Sequence, residues 1–180
     1  MTEPINWQPD NLEDGLVELV PLTANDFEVL FQAASDPLIW EQHPMNDRYK
    51  REVFQLFFDE AVSSMTAFLI RDKASKEIIG STRYYDYKDE NSSIAIGYTF
   101  LSRKYWGGRY NKAVKKLLLD YAFNFIDNVY FHIGPDNIRS QLATIKIGAR
   151  KIGEVNFDHY GPNSLHYEYL LPKQAWTKQS

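Results

Sequence analysis

The stretch from Ser102 to Tyr110 has the residue types and spacing of a phosphate-binding loop. It carries three basic residues, Arg103, Lys104 and Arg109, and the glycine pair Gly107–Gly108 just before a predicted helix. The first N–H groups of a helix lack internal partners and the helix dipole adds positive charge, so anions bind there. Glycine allows close backbone approach, and arginine suits two-point contact with phosphate. A solvated strand–helix connection would show the same pattern, and spacing alone leaves both interpretations open.

Two predicted elements would position this loop. Residues 94–101 form an apolar run that predicts a mostly buried strand. From Asn111 onward, apolar residues recur at three- and four-residue steps, which predicts a helix. The apolar positions of this helix are Val114, Leu117, Leu118, Tyr121, Ala122 and Phe125, and its lysines, Lys112, Lys115 and Lys116, are expected off that face.

The rest of the chain predicts alternating strands and helices. Thr23 and Asp26 resemble a capping box, and Asn137 and Gly148 suit the start and end of another helix. Alternation over residues 78–87 predicts Tyr85 and Tyr87 on one face, with Tyr84 and Asp86 on the other. The predicted strands are 16–21, 66–71, 78–87, 94–101, 129–133, 150–158 and 165–171, and the predicted helices are 23–35, 48–63, 111–126 and 137–146.

Composition indicates a globular chain of one domain. Its 180 residues are 44% hydrophobic and 15% aromatic, enough for a sizeable core. A net charge of −4 argues against a general nucleic-acid binder, and the lack of cysteine excludes disulfides and thiolate chemistry. Residues 1–15 are expected to be a flexible leader, 16–172 a single domain and 173–180 a tail. No signal peptide or membrane span is indicated, so we expect a cytoplasmic protein.

Five short motifs, in order, carry a resemblance to a known family. They are Ile96–Leu101 (IGYTFL), Tyr105–Gly108 (YWGG), Leu118–Phe123 (LLDYAF), Asn137–Ser140 (NIRS) and Lys146–Ala149 (KIGA). Together they resemble the acetyl-CoA-binding core of the GNAT superfamily, especially its ribosomal-protein N-terminal acetyltransferase branch. The resemblance spans roughly Leu16 to Leu171. It implies an α/β (α+β) fold with a mixed, mainly antiparallel sheet of six to seven strands and helices on both faces. Strands four and five would splay apart around an acyl-CoA.

The resemblance also implies an activity. This is acetyl-CoA-dependent transfer of an acetyl group to a primary amine of a small molecule or protein N-terminus, by direct attack on the thioester. Acetyl-CoA is the co-substrate, and no metal, nucleic acid or membrane is implied. By resemblance, the residues that hold acetyl-CoA are Tyr98, Thr99, Phe100, Leu101, Trp106, Gly107, Gly108, Arg109, Tyr110, Asn111, Asn137 and Ser140. The candidate catalytic residues are Ser140, which would face the sulfur, and His43.

The sequence departs from the family pattern at four positions. Arg109 and Asn111 replace later small residues of the phosphate loop, Ala95 replaces a common glutamate, and Thr144 replaces a common tyrosine acid. The usual general base and one usual acid are therefore absent. The amine's proton could instead go to a water chain, His43, Asp86 or the Asp158–His159 pair; a histidine has a suitable ordinary pKa.

Other functions remain open from the sequence. A non-catalytic acyl-CoA-binding or sensor module would explain the missing acid and base. A basic loop that grips another phosphate ligand, such as a nucleotide, would explain the loop alone. The acceptor is expected to border residues 38–49, where His43 could instead be a surface residue. Exposed aromatic residues would suit a homodimer.

Overall fold

One eight-stranded sheet organises the chain, with strand order β1-β2-β3-β4-β5-β6-β8-β7. The structure is a computed structural model that describes residues 4–157 and 164–177. Neighbouring strands are antiparallel except β5 and β6, which are parallel. The strands are β1 Leu12–Glu13, β2 Val17–Pro21, β3 Ala67–Asp72, β4 Ile78–Lys88, β5 Ser93–Leu101, β6 Asn128–Ile133, β7 Arg150–Asn156 and β8 Leu165–Pro172. The helices are α1 Phe27–Ala34, α2 Arg51–Ser64, α3 Arg109–Ala122, α4 Ile138–Lys146 and α5 Lys173–Thr177.

The two faces of the sheet bury different clusters. On the α3 face, Val114 and Leu118 pack with sheet residues such as Ile94 and Ile96. On the α1–α2 face, Leu30 and Phe54 pack with Leu69 and other aromatic and aliphatic side chains. The mixed sheet with helices on both faces confirms the predicted fold, with one added strand, the two-residue β1.

Local signals fixed several helix ends as predicted. Asp26 accepts a hydrogen bond from the Thr23 backbone N–H at 2.8 Å, which completes the capping box. Asn137 Oδ1 accepts from the Ser140 N–H at 3.2 Å and caps α4. Gly148 follows α4 with φ 94°, the left-handed conformation that glycine adopts without strain.

Residues 4–15 of the expected leader and residues 173–177 of the expected tail are packed against the domain. Trp7 is 8% exposed and its ring lies 5.2 Å from that of Tyr84. Trp176, in α5, donates its Nε1 proton to Asp120 on α3 at 2.8 Å. Within the described residues, the segments at both ends therefore add apolar surface to the core, which their polar composition did not indicate.

The prediction that Tyr85 and Tyr87 share a face is wrong. Asp86 has φ 53°, and the pairing of β4 with β5 shifts register between Tyr85 and Lys88. This irregularity interrupts the two-residue alternation. Tyr87 therefore joins Tyr84 beside Trp7, while Tyr85 contacts Tyr98 on the opposite face.

Candidate active site

The site begins where β5 and β6 separate. The two strands pair at three positions, the last being Ala95 with Tyr130. Beyond this point Tyr98 takes φ 52°, and β5 places two residues, Tyr98 and Thr99, opposite Thr82 alone on β4. This is a bulge, which bends the strand. In the described part of the chain, the β6 side of β5 from residue 96 onward has no strand partner, so its backbone groups are left for a ligand.

The glycine loop leads from this open edge into α3. Gly107 and Gly108 have φ of 110° and 95°, and a Cβ at either would meet no atom within 4 Å. Glycine is therefore required by backbone conformation and not by crowding. Gly108 is the residue before α3, whose first N–H groups point into the loop. Asn111 lies in the first turn of the same helix.

Only part of the predicted positive charge is available to a ligand. Arg103 pairs with Asp36, and this ion pair lowers the pKa of the Asp36 carboxyl. Lys104 Nζ lies 3.3 Å from Glu77 Oε2. The Tyr110 hydroxyl is engaged elsewhere, since it donates to Asp72 Oδ1 at 2.9 Å. Arg109 is exposed at the start of α3 and has no ion pair within residues 4–157 and 164–177.

Helix α4 meets the loop through Trp106. The Arg139 guanidinium lies 3.8 Å from the Trp106 ring centroid, and Trp106 Nε1 donates to the Leu101 carbonyl at 2.9 Å. Burial lowers the pKa of Arg139. Asn137 and Ser140 share the first turn of α4; capping uses Asn137 Oδ1 and leaves its Nδ2 protons as possible donors.

The prediction that Lys115 lies off the apolar face is wrong. It is 7% exposed, on the same side of α3 as Leu118, Leu119 and Ala122, a spacing that could have indicated its burial. Its Nζ donates to Thr99 Oγ1 at 2.9 Å and lies 5.5 Å from the Phe131 ring centroid. Burial lowers its pKa from 10.5 to about 7. The lysine thus fills the α3 side of the gap between β5 and β6.

Aromatic side chains line the opposite side of β5. Tyr98 lies 6.2 Å from Phe57, centroid to centroid, and Phe100 lies 5.0 Å from Trp40. The guanidinium of Arg83 stacks 3.5 Å from the Tyr98 ring centroid. Arg83 is 6% exposed, and its Nε has no hydrogen-bond partner among the described residues. This face therefore carries a fixed positive charge beside the bulge.

The connection between α1 and α2 lies across the end of this aromatic face. A Cβ on Gly134, just after β6, would lie 2.7 Å from Pro44 Cγ, so only glycine permits this approach. Arg139 Nη2 donates to the Ile39 carbonyl at 3.2 Å. These contacts bring residues 38–50 beside the start of α4. That residues 38–49 border the acceptor stays a prediction.

His43 lies in this connection with one ring nitrogen already engaged. The Met45 N–H donates to Nδ1 at 3.0 Å, so a neutral imidazole carries its proton on Nε2, which faces Arg48 at 3.3 Å. Burial lowers the pKa of His43 well below 6.5, and the charges of Arg48 and His166 lower it further. Its candidate catalytic role stays a prediction. Asp86, another candidate base, pairs with Lys88 at 3.0 Å, and Asp158–His159 lies outside the described residues.

A set of three polar side chains crosses the same face and was not predicted. Tyr85 on β4, His132 on β6 and Glu168 on β8 are joined by contacts of 2.7 and 3.0 Å. The apolar residues Val129, Phe131 and Ile133 are two apart in the sequence. This spacing could have predicted His132 on the opposite face of β6. The cross-strand register that sets Glu168 opposite His132 has no sequence signal.

The fold and the open β5 edge are those of the GNAT type, and comparison of the sequence with family models agrees. Residues 17–150 match the model of the family described as "Acetyltransferase (GNAT) domain", so the chain belongs to that family. GNAT proteins use acetyl-CoA as the acetyl donor. No curated protein matches the chain significantly.

Solved structures share the fold at low sequence identity. A GCN5-related N-acetyltransferase from Brucella melitensis superposes with TM-score 0.79 at 21% identity, covering 94% of this chain and 83% of that one. A Vibrio cholerae protein assigned as a ribosomal-protein-serine acetyltransferase gives 0.75 at 15% identity, covering 89% and 96%. Spermidine N-acetyltransferase from Vibrio cholerae, solved with CoA and spermine, gives 0.68 at 14% identity, covering 91% and 99%. At these identities the similarity shows the fold alone.

Two further properties bear on partners. Among the helices of residues 4–157 and 164–177, none has the length and apolar character needed to cross a bilayer. The same residues contain no group of three or more histidine or carboxylate side chains arranged to hold a metal ion.

Proposed function

We propose that the protein transfers the acetyl group of acetyl-CoA to a primary amine of a small molecule or protein N-terminus. The observation that carries the proposal is the open edge of β5. Its pairing with β6 stops at Ala95, the bulge follows at Tyr98, and the edge leads into the glycine loop. An extended acyl-CoA arm can hydrogen-bond to such an edge as a strand would.

The proposed acetyl-CoA contacts are mostly backbone groups. The N–H groups at the start of α3 would hold the pyrophosphate, and Arg109 would add a charge there. Residues 98–101 would contact the pantetheine arm. Asn137 Nδ2 would donate to the same arm, and Ser140 Oγ would face the sulfur, where a hydroxyl can stabilise the leaving thiolate.

The acceptor would enter from the α1–α2 face. The buried guanidinium of Arg83 makes this face unfavourable for an ammonium ion, because like charges repel. A neutral amine is the nucleophile that the reaction requires, so this environment supports catalysis. Location in the cytoplasm and assembly as a homodimer stay predictions from the sequence.

A non-catalytic acyl-CoA-binding module is the second candidate. It is supported by Ala95 and Thr144, which are both buried and offer neither the acid nor the base common in the family. Both candidates require acetyl-CoA to bind, and they differ in turnover alone.

Binding and turnover can be tested separately. Thermal unfolding would be followed with acetyl-CoA, CoA or ATP; a ligand at about 100 times its Kd adds roughly 2.7 kcal/mol of stability. CoA release would then be measured with polyamines, amino acids, amino sugars and peptides. Gly107→Val would force valine to φ 110°, and we expect it to weaken acetyl-CoA binding about tenfold or more.

Gly15→Val is the matched control, since Gly15 also has open space around it but no positive φ. Stabilisation by acetyl-CoA but not by ATP, together with CoA release on an amine, would support the enzyme. Stabilisation without release on any acceptor would favour the binding module. Stabilisation by ATP alone would overturn both.

A further inference from the structure

Tyr85, His132 and Glu168 form a continuous hydrogen-bonded chain across three strands. Tyr85 Oη lies 2.7 Å from His132 Nδ1, and His132 Nε2 lies 3.0 Å from Glu168 Oε2. The His132 side chain is 6% exposed, and the ring of Phe157 covers it with centroids 4.9 Å apart. Glu168 sits directly opposite His132 in the β6–β8 register, which keeps its carboxylate beside the imidazole.

The chemistry of the partners fixes the direction of these hydrogen bonds. An ionised carboxylate only accepts, so His132 donates its Nε2 proton to Glu168. The remaining nitrogen of the neutral imidazole, Nδ1, is then an acceptor, and Tyr85 Oη–H donates to it. A phenol oxygen both donates its proton and accepts hydrogen bonds, so it can pass one proton on as it takes up another. The order hydroxyl, imidazole and carboxylate is that of a catalytic triad, in which the imidazole takes the proton of the hydroxyl and the carboxylate orients the imidazole.

Gly97 allows the contact between Tyr85 and His132 to cross the central strand, β5. Tyr85 is on β4 and His132 is on β6, with β5 between them. A Cβ on Gly97 would lie 2.9 Å from Tyr85 Cε1, so a larger residue would push the ring aside. The crossing falls two residues beyond the last β5–β6 pair, Ala95 with Tyr130, where the strands begin to separate. Tyr85 also packs against Tyr98, the bulge residue, with centroids 5.2 Å apart.

We infer that Tyr85 accepts the proton of the attacking amine and passes its own proton to His132, whose charge Glu168 balances. We call this proton transfer through Tyr85, His132 and Glu168 the relay. This inference rests on the proposed acetyl transfer. Tyr85 is the catalytic residue, while His132 and Glu168 are positioning residues that act through it. These three hydrogen-bonded side chains would replace the base that the family commonly places where Ala95 stands.

The step balances with the two substrates alone. The amine nitrogen forms a bond to the thioester carbonyl carbon and loses a proton to Tyr85 Oη, as Tyr85 Oη–H moves to His132 Nδ1. The C–S bond breaks, and its electron pair leaves on the CoA sulfur. The proton held on His132 then returns through Tyr85 to the thiolate, so the products are an amide and CoA thiol.

The test compares two tyrosines of β4 in full-length protein. Tyr85→Phe keeps the ring and removes the hydroxyl, while Tyr87→Phe is the matched control because Tyr87 Oη contacts Asp89 in an exposed turn. With the amine that gives the fastest CoA release, we expect Tyr85→Phe to lower kcat about 100-fold or more, the size of effect of a lost general base. Its KM for acetyl-CoA and its stabilisation by acetyl-CoA should match wild type.

His132→Gln and Glu168→Gln test the rest of the chain, with Glu154→Gln on exposed β7 as control. We expect kcat to fall for both, more for His132→Gln, at unchanged acetyl-CoA affinity. If the wild-type protein turns over and Tyr85→Phe has the same kcat as Tyr87→Phe, the relay is wrong. The proposed function is not affected by that result. Loss of acetyl-CoA stabilisation in Tyr85→Phe assigns it a structural role and also overturns the relay. A wild-type protein that transfers to no amine overturns the proposed function, and the relay with it.

Discussion

The two sides of β5 differ in what they present to a ligand. The edge toward β6 presents backbone groups, shaped by the bulge at Tyr98 and by the positive φ of Gly107 and Gly108. The α1–α2 face presents side chains, among them Tyr85, Arg83 and His132. Backbone recognition depends on a few glycines and a helix start, so it can be shared by a whole family. Side-chain recognition depends on every residue of the face, so it belongs to this chain.

Lys115 is the exception on the backbone side, and removing it should have the largest effect on stability. Its folded pKa of about 7 lies below 10.5, so the folded state binds fewer protons between these pH values and wild-type stability rises with pH there. Lys115→Met lacks this dependence. We expect it to be more stable than wild type near pH 7, with the advantage shrinking by roughly 3 kcal/mol toward about pH 9.5.

Urea unfolding at several pH values would measure this difference. Lys112→Met, at an exposed position of the same helix, is the control and should run parallel to wild type. If Lys115→Met also runs parallel to wild type, the pKa of Lys115 is not lowered in the folded protein.

Gly97 lies on β5 between the backbone edge and the α1–α2 face. A methyl group there should lower turnover and leave acetyl-CoA binding nearly unchanged. In Gly97→Ala the new Cβ would displace the Tyr85 ring, which is the free end of a side chain and can move. We expect kcat to fall about tenfold or more while acetyl-CoA affinity changes by less than about threefold. Steady-state kinetics and calorimetric titration would measure both quantities.

Gly153→Ala on β7, where a Cβ meets open space, is the control for this substitution. Equal kcat for Gly97→Ala and Gly153→Ala would show that the position of the Tyr85 ring does not matter to turnover.

Tyr84 and Tyr85 are adjacent in the sequence but lie on opposite faces of β4. Removing the Tyr84 hydroxyl should lower stability, whereas removing the Tyr85 hydroxyl should lower kcat. Tyr84 is fully buried and donates to the Leu118 carbonyl on α3 at 2.5 Å. Tyr84→Phe leaves that carbonyl without this donor, so we expect a loss of about 1 kcal/mol in unfolding free energy. Turnover should stay at the wild-type level. A fall in kcat as large as that of Tyr85→Phe would mean that the hydroxyls of both faces serve the reaction.

His43 should have the smallest effect if the relay takes the proton. Its Nδ1 is engaged by Met45, and burial beside Arg48 and His166 lowers its pKa. We expect His43→Gln to change kcat by less than about threefold. A loss of about 100-fold, with Tyr85→Phe near wild type, would instead assign general base catalysis to His43.

The sequence by itself determined most of the fold and the position of the glycine loop. The Thr23–Asp26 box, the Asn137 cap and Gly148 are local signals, and the structure confirms each of them. The glycine loop before α3 could be located for the same reason, because helix starts and positive φ depend on neighbouring residues.

Only the tertiary structure decided which side chains meet on the α1–α2 face. The irregularity at Asp86 turns Tyr87 away from Tyr85, and strand alternation in the sequence does not reveal it. The contact of Tyr85 with His132 needs the order of three strands and the absence of a side chain at Gly97. Strand order and cross-strand register join residues far apart in the chain, so the partners of Tyr85 and Glu168 are fixed only when the sheet is assembled.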